Sequence, residues 1–194
     1  MARLGREFFA RDTLEVARGL LGQVLVRLWD GERLSGRIVE VEAYIGEEDL
    51  ASHARFGRTE RNAAMYGPPG HAYVYLIYGM HHCLNIVTDR EGFPAAVLIR
   101  ALEPLEGVER MRLLRGGRPD LTNGPARLCQ AMGIDRRFDG ADLCEPEALL
   151  FVEESTPVRE EVVGRSPRVG VTGDRRARTV PWRFFVKGSP FLSR

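Results

Sequence analysis

Residues 23–44 read QVLVRLWDGERLSGRIVEVEAY, and this run decides the fold class. Gln23 to Trp29 is rich in Val and Leu, as a half-buried strand is. Asp30-Gly31 follows, a two-residue hairpin signal, because both central residues of such a turn need positive φ. The return strand is expected from about Leu34 to Tyr44, with an irregularity at Gly36. A hairpin this long calls for a sheet, with helices to cover it.

Outward from the hairpin, strands and helices do not alternate regularly. Thr13 is expected to cap a short helix through Leu20, stopped by Gly22. Asp49 to Arg55 and Glu60 to Tyr66 read as short helices, the second capped by Thr59, and Gly67-Pro68-Pro69-Gly70 breaks the pattern. Ala72 to Ile77 and His82 to Thr88 form a second hairpin around Tyr78-Gly79-Met80. Pro94 to Leu102 is a further strand, Leu105 to Leu114 a helix closed by Gly116-Gly117, and Asn123 to Met132 a helix with Pro125 in its first turn. The last third reads as short strands, including Arg168 to Thr172 and Trp182 to Val186. The expectation is an α+β fold: a curved antiparallel or mixed sheet with short helices around it, in one domain over residues 1–194.

The 194 residues are 44% hydrophobic and 28% charged, ordinary for a globular domain. No apolar run approaches the roughly 20 residues that span a bilayer, and MARLGREFF lacks the features of a signal peptide, so a cytoplasmic location is expected and a membrane partner is not. Cys83, Cys129 and Cys144 are widely spaced and odd in number, with no CxxC pair, so neither a disulfide framework nor a zinc site is implied. His81 and His82, neighbours on a strand, point to opposite faces and do not easily share an ion.

Net charge is +1, and bulk electrostatics announce no nucleic-acid partner. The distribution is uneven. Residues 142–161 hold seven acids and one Arg, whereas residues 165–194 hold eight basic residues against Asp174. The second block could supply phosphate contacts, or be a solvated surface. Lys187 is the only lysine. A Schiff-base mechanism needs a nucleophilic amine, and here only Lys187 and the N-terminal amine qualify.

Three constellations could carry chemistry. On a strand, Glu40, Glu42 and Tyr44 share a face, with the Glu40 and Glu42 Cα atoms about 6.6 Å apart. A half-buried carboxylate beside an aromatic ring can act as a general base; alternatively this is a solvent-facing strand whose charges discourage edge pairing. Tyr73 and Tyr75 also share a face, with Tyr78 at the bend. Such rings can stack on bases and wedge into a duplex, or simply pack a core. Asn85 and Arg100 lie within apolar strands, where unpaired polar groups are costly, so they satisfy each other or the backbone, or face a site. His53, alone on its helix, is either a surface residue or a stacking or titrating one.

Taken together, Arg37 to Gly46, Tyr73 to Asn85, Leu98 to Gly107, Asn123 to Met132 and Arg168 to Pro190 resemble the alkyladenine (3-methyladenine) DNA glycosylase family of mammals and many bacteria, over about Arg6 to Pro190. The resemblance implies that Glu42 activates a water, that Arg100 helps hold it, and that the Val169 carbonyl is its third anchor. It implies that Tyr44 and His53 line one face of a flipped base and Tyr75 the other, with the His53 backbone N–H at the base edge. Tyr78 would be the intercalating wedge with Met80 beside it, and Asn85 would clash with the 2-amino group of guanine. Glu40 matches a family position without a catalytic role. His81 departs from the mammalian Tyr, the segment from Thr88 to Pro94 is about two residues longer, and the mammalian N-terminal extension is absent.

The implied activity is monofunctional: a water attacks C1′, freeing 3-methyladenine, 7-methylguanine, hypoxanthine or ethenoadenine and leaving an abasic site without strand cleavage. The implied partner is damaged double-stranded DNA, bound by a monomer with no metal and no cofactor. Two other readings stay open: a non-catalytic nucleic-acid-binding module on the same scaffold, and a metal-dependent hydrolase using Glu42, His53 and His81 or His82.

Overall fold

The computed structural model describes residues 2–193 and is organised around one long strand. Strand β1 (Val24–Trp29) turns through Asp30 and Gly31, at φ 46° and 77°, into strand β2 (Glu32–Ile45). Positive φ at both loop residues gives the twist that a tight hairpin needs. Strands β3 (Ala72–Ile77) and β4 (His81–Val87) form the second hairpin, and β5 (Ala95–Glu106) lies between β4 and β2. Short strands β6 (Leu150–Glu153), β7 (Val163–Ser166) and β8 (Arg183–Val186) complete an eight-stranded sheet. Its main path is β3-β4-β5-β2-β1-β6, and every pairing is antiparallel. The α+β expectation, with several short helices around an antiparallel sheet, holds.

β2 changes partner along one edge. Its first half pairs with β1 and its second, at Glu40 to Glu42, with β8. On the other edge it pairs with β5, with register shifts at Ser35/Gly36 and on both sides of Glu40. The irregularity expected at Gly36 is there. At Glu40 the pairing runs from Val41 opposite Ile99 to Glu40 opposite Ala101, so Arg100 is an extra residue on β5. Such bulges bend a strand and re-aim its side chains.

The main core lies on the face of the sheet that carries Val41, Val74, Leu84, Ile86 and Ile99. After the short helix α1 (Arg6–Phe9), it is covered by α2 (Thr13–Leu20) through Val16 and Leu20, and by α4 (Pro125–Met132) through Leu128 and Met132. α4 ends at Gly133, which has φ 62° and lies so close to the Trp29 ring that a Cβ there would overlap it. The opposite face carries a small core of Ala54, Met65, Tyr73, Val87 and Ala96 beneath two 3-10 turns, His53–Phe56 and Glu60–Tyr66. The second turn is capped by Thr59 as expected, in a reciprocal pair with Asn62.

Several local expectations are corrected. Asp12, not Thr13, caps α2, accepting from the Leu14 and Glu15 amides, while the buried Thr13 hydroxyl accepts from Thr88. The helix expected at Asp49 to Arg55 is instead a 3-10 turn at His53–Phe56, capped by Ser52, while Asp49 is held in a buried ion pair. Leu105 belongs to β5; the left-handed Gly107 precedes helix α3 (Val108–Leu114). Arg168 to Thr172 is a loop, not a strand, with Gly170 at φ 67°. Helix α5 (Arg175–Thr179) follows it, capped by Asp174.

No described helix is long and apolar enough to cross a membrane.

Candidate active site

Cross-strand neighbours share a face, so strand pairing sets the site. The row Tyr73–Asn85–Leu98–Glu42–Arg183 crosses five strands on one side of the sheet. One step of two residues along the strands adds Tyr75, Cys83, Arg100, Glu40 and Tyr44 to the same side. Over this face lies a cleft of about 710 Å³. Tyr44, His53, Tyr73, Tyr75, Asn85 and Val169 line it, and Tyr78 stands at its edge. Arg55, Arg61 and Arg100 also line it and, among the described residues, no acidic side chain does, a sign suited to a polyanion. A second hollow, of about 530 Å³, is ringed by Glu47, Glu48, Asp49 and Asp174 and has the wrong sign for one.

Both Glu40 and Glu42 are fully buried, so the solvent-facing alternative for that strand is overturned. Glu42 lies just beneath the cleft floor, held by three groups that line it. The Val169 amide donates to Oε1 at 2.7 Å, the Tyr44 hydroxyl donates to Oε2 at 2.9 Å, and Arg100 Nη1 lies 3.2 Å from Oε2. Burial, then the adjacent Glu42 charge, pushes the Tyr44 hydroxyl well above its ordinary range, so it remains a donor. Burial disfavours charge on Arg100, but Glu42 and Glu40 outweigh it and the net direction is up. Arg100 thus does not pair with Asn85; it is paired with the two carboxylates.

Asn85 Nδ2 donates to the Tyr73 carbonyl across the hairpin, which fixes its side chain at the cleft floor. The His53 and Tyr75 rings meet edge to face at 4.4 Å between centroids, and His53 Nδ1 is 2.8 Å from the Tyr73 hydroxyl. A base stacked between two rings needs about 7 Å between them, two van der Waals contacts. The structure therefore groups His53 with Tyr75 on one wall, whereas the resemblance placed His53 with Tyr44. One face of the Tyr44 ring is covered by the Arg168 guanidinium, 4.6 Å from the centroid. Burial, then Arg61 and Arg55, lowers the His53 pKa, favouring the neutral ring. The His53 carbonyl is taken by Asn62 Nδ2.

Tyr78 is 87% exposed and Met80 70% exposed, at the tip of the β3–β4 hairpin. Tyr78 has φ 51°, a conformation that costs a bulky residue about 1–2 kcal/mol. The turn is closed by the Met80 amide donating to the Ile77 carbonyl at 3.2 Å. An exposed, strained tyrosine beside a cleft is a sign of use rather than of packing.

Residues that sequence reasoning left out complete the site. Arg168 is buried, with Nη1 at 2.6 Å and Nη2 at 2.8 Å from the Asp49 carboxylate, and it also donates to the Ala43 and Ala177 carbonyls. It anchors the loop that brings Val169 to Glu42. Arg55 and Arg61 follow His53 closely in sequence, a local signal of a basic rim. The basic block is largely engaged internally: Arg165 pairs with Glu160, Arg168 with Asp49 and Arg183 with Glu40, and Lys187 Nζ donates to the Glu161 carbonyl. Arg165 and Lys187 are nonetheless exposed, as are Arg175, Arg176 and Arg178 on α5, and Arg194 lies outside the described residues. Lys187 is not part of the cleft, and the N-terminal amine belongs to Met1, also outside the described residues. The set imagined around Glu42, His53 and His81 or His82 does not converge: among the described residues no three His, Cys, Asp or Glu side chains lie close enough to hold an ion.

A methylpurine-DNA glycosylase family model matches residues 7–190. Among curated proteins, one from Methanocella arvoryzae is 51% identical over 197 residues, covering 100% of this chain and 97% of the relative. One from Alkaliphilus oremlandii is 48% identical, covering 99% of each, and one from Anaeromyxobacter dehalogenans is 53% identical, covering 99% of this chain and 87% of the relative. All three carry the name "Putative 3-methyladenine DNA glycosylase".

Proposed function

The chain belongs to the methylpurine-DNA glycosylase family, and from that premise we propose that it is a monofunctional DNA glycosylase of base excision repair. It rotates a damaged purine out of duplex DNA into the aromatic cleft and hydrolyses the N-glycosidic bond. The products are the free base and an abasic site in an unbroken strand. 3-Methyladenine, 7-methylguanine, hypoxanthine and ethenoadenine are the proposed substrates, and the protein acts as a monomer.

The observation that carries this reading is the buried Glu42 carboxylate, held by Val169, Tyr44 and Arg100 directly under an acid-free cleft. A carboxylate oxygen has two lone-pair directions. Oε2 is occupied by Tyr44 and Arg100; Oε1 takes only the Val169 amide, leaving one direction for water. Water reaches it between Arg100 and Val169 and is held by Glu42, Arg100 and the Val169 carbonyl. The reaction asks little basicity of the carboxylate, since bond breaking develops oxocarbenium character on the sugar before the nucleophile commits. The larger role of Glu42 is to stabilise that positive charge from a preorganised, water-poor position.

Selectivity has two sources. Flipping costs a few kcal/mol and is cheapest for a damaged or mispaired base. The base then lies between Tyr44 and the Tyr75–His53 wall, where flat, electron-poor rings stack best, and Asn85, fixed by the Tyr73 carbonyl, obstructs the 2-amino group of guanine. Tyr78 and Met80 fill the vacated stack. Lys187, the only lysine, does not line the cleft, which supports water rather than lysine as nucleophile.

The test uses labelled duplexes with a single hypoxanthine, ethenoadenine or 7-methylguanine, incubated in EDTA and read with and without alkali. Breaks that appear only after alkali are expected. Breaks without alkali would remove the monofunctional mechanism, and tight lesion binding with no breaks at all would favour a non-catalytic binding module.

A further inference from the structure

Glu40 is the second buried carboxylate of the site, and it does not line the cleft. It accepts four hydrogen bonds: from Arg183 Nε at 2.7 Å, Arg100 Nε at 3.0 Å, the Ser193 amide at 2.6 Å and the Ser193 hydroxyl at 2.7 Å. The Ser193 oxygen in turn accepts from Arg100 Nη2 at 3.1 Å. Two edges of the Arg100 guanidinium are thus occupied, Nε by Glu40 and Nη2 by Ser193. The group is planar and rigid, so fixing those two nitrogens fixes the third. The third is Nη1, which faces Glu42 at 3.2 Å. Arg100 is also the extra residue of the β5 bulge, placed beside Ala101 opposite Glu40.

We propose that Glu40 and Ser193 are positioning residues, a clamp that aims the Arg100 guanidinium at Glu42 and so sets the rate of base excision without touching DNA. The inference rests on the reading of Glu42 and Arg100 given above. Burying a carboxylate costs several kcal/mol unless it is paired and hydrogen-bonded. Burial pushes the Glu40 carboxyl up, but Ser193, Arg183 and Arg100 together hold it below its ordinary range, so the clamp stays charged at neutral pH. Arg183, which stands opposite Glu42 on β8 but ion-pairs with Glu40, completes a balance of two carboxylates and two guanidiniums. With Glu40 neutral, Arg100 keeps the Glu42 attraction and only the uncharged Ser193 contact against it, and can roll toward Glu42, abandoning the geometry in which it holds both carboxylate and water.

The test compares wild type, Glu40→Gln, Ser193→Ala, Arg100→Gln and the double variant Glu40→Gln/Arg100→Gln. Single-turnover excision of ethenoadenine and affinity for the same duplex are both measured. Glu40→Gln is expected to slow excision roughly 10- to 100-fold, the worth of one hydrogen bond to a charged group. Ser193→Ala should slow it about threefold to tenfold, again about one hydrogen bond, and both variants should keep near wild-type affinity. In the Arg100→Gln background the Glu40 substitution should have no further effect. Equal slowing by Glu40→Gln in both backgrounds, or wild-type excision by Glu40→Gln and Ser193→Ala, overturns the clamp while leaving the glycosylase reading intact. Should Glu40→Gln not fold, Ser193→Ala decides: an unchanged rate overturns the clamp. A wild type that releases no base overturns the glycosylase reading and the clamp with it.

Discussion

The Val169 amide donates to Oε1 of Glu42 over 2.7 Å, joining β2 to a loop 127 residues further along the chain. Neither partner is placed by its own neighbourhood alone. Glu42 is set by the pairing of β2 with β5 and β8, and Val169 by the preceding Arg168, which is locked to Asp49. The carboxylate is therefore only as well positioned as that ion pair.

Asp49 carries the first prediction. Asp49→Ala leaves Arg168 as a buried, unpaired charge, which costs about 3–5 kcal/mol. Urea denaturation should show that loss, with excision falling further than the unfolded fraction explains because the Val169 loop is released. A loss below about 1 kcal/mol, the scale of an exposed pair, would contradict it.

Tyr44→Phe separates the ring from its hydroxyl. The ring stays to stack, while Glu42 Oε2 loses the donor at 2.9 Å. Excision should slow about tenfold with lesion affinity little changed, since one hydrogen bond to a charged group is worth about 1.5–3 kcal/mol at most. Loss of affinity with an unchanged rate would assign the hydroxyl to binding instead.

His53 gives a pH prediction. Burial, then Arg61 and Arg55, holds its pKa below the ordinary 6.5. As pH falls past 6.5 the unfolded chain takes up the proton first, so the stability His53 contributes is present above that pH and is lost as pH falls through the folded pKa. The stability margin of wild type over His53→Gln should shrink between pH 7.5 and 5.5. Arg61→Ala removes a positive neighbour and should raise the His53 pKa, seen in the imidazole NMR shifts. A lowered value would contradict the assignment.

Tyr78 is strained and exposed. Tyr78→Gly relieves the positive φ, so thermal stability should stay level or rise slightly. Excision from duplex should drop, and excision from single strands, where no stack needs filling, should not. Equal losses on both substrates would deny it the role of wedge.

What the sequence made legible was local. Asp30-Gly31 marks a tight hairpin, Thr59 a cap and Pro125 the first turn of a helix through their own backbone chemistry, and each is borne out, although that helix starts at Pro125 rather than Asn123. Arg168 to Thr172 reads as a strand from its Val residues, but Gly170 breaks it and Arg168 is claimed by Asp49, 119 residues away. Spacing alone left Glu40 and Glu42 facing solvent as readily as a site. Their burial is decided by Arg100, Arg183 and Ser193, 60, 143 and 153 residues from Glu40. No periodicity within β2 encodes those partners; the resemblance singled out Glu42 and Arg100, while Ser193 emerges only in three dimensions.

The proposed role of Glu42 in driving the hydrolysis is tested most directly by Glu42→Gln. Glutamine keeps the shape and an acceptor for Val169 but removes the charge. Single-turnover excision of ethenoadenine from duplex DNA should fall at least about 100- to 1,000-fold, as when a preorganised electrostatic group is removed, with affinity for the lesion duplex unchanged. Excision within a few-fold of wild type would rule Glu42 out as the catalytic group and move that role elsewhere in the cleft.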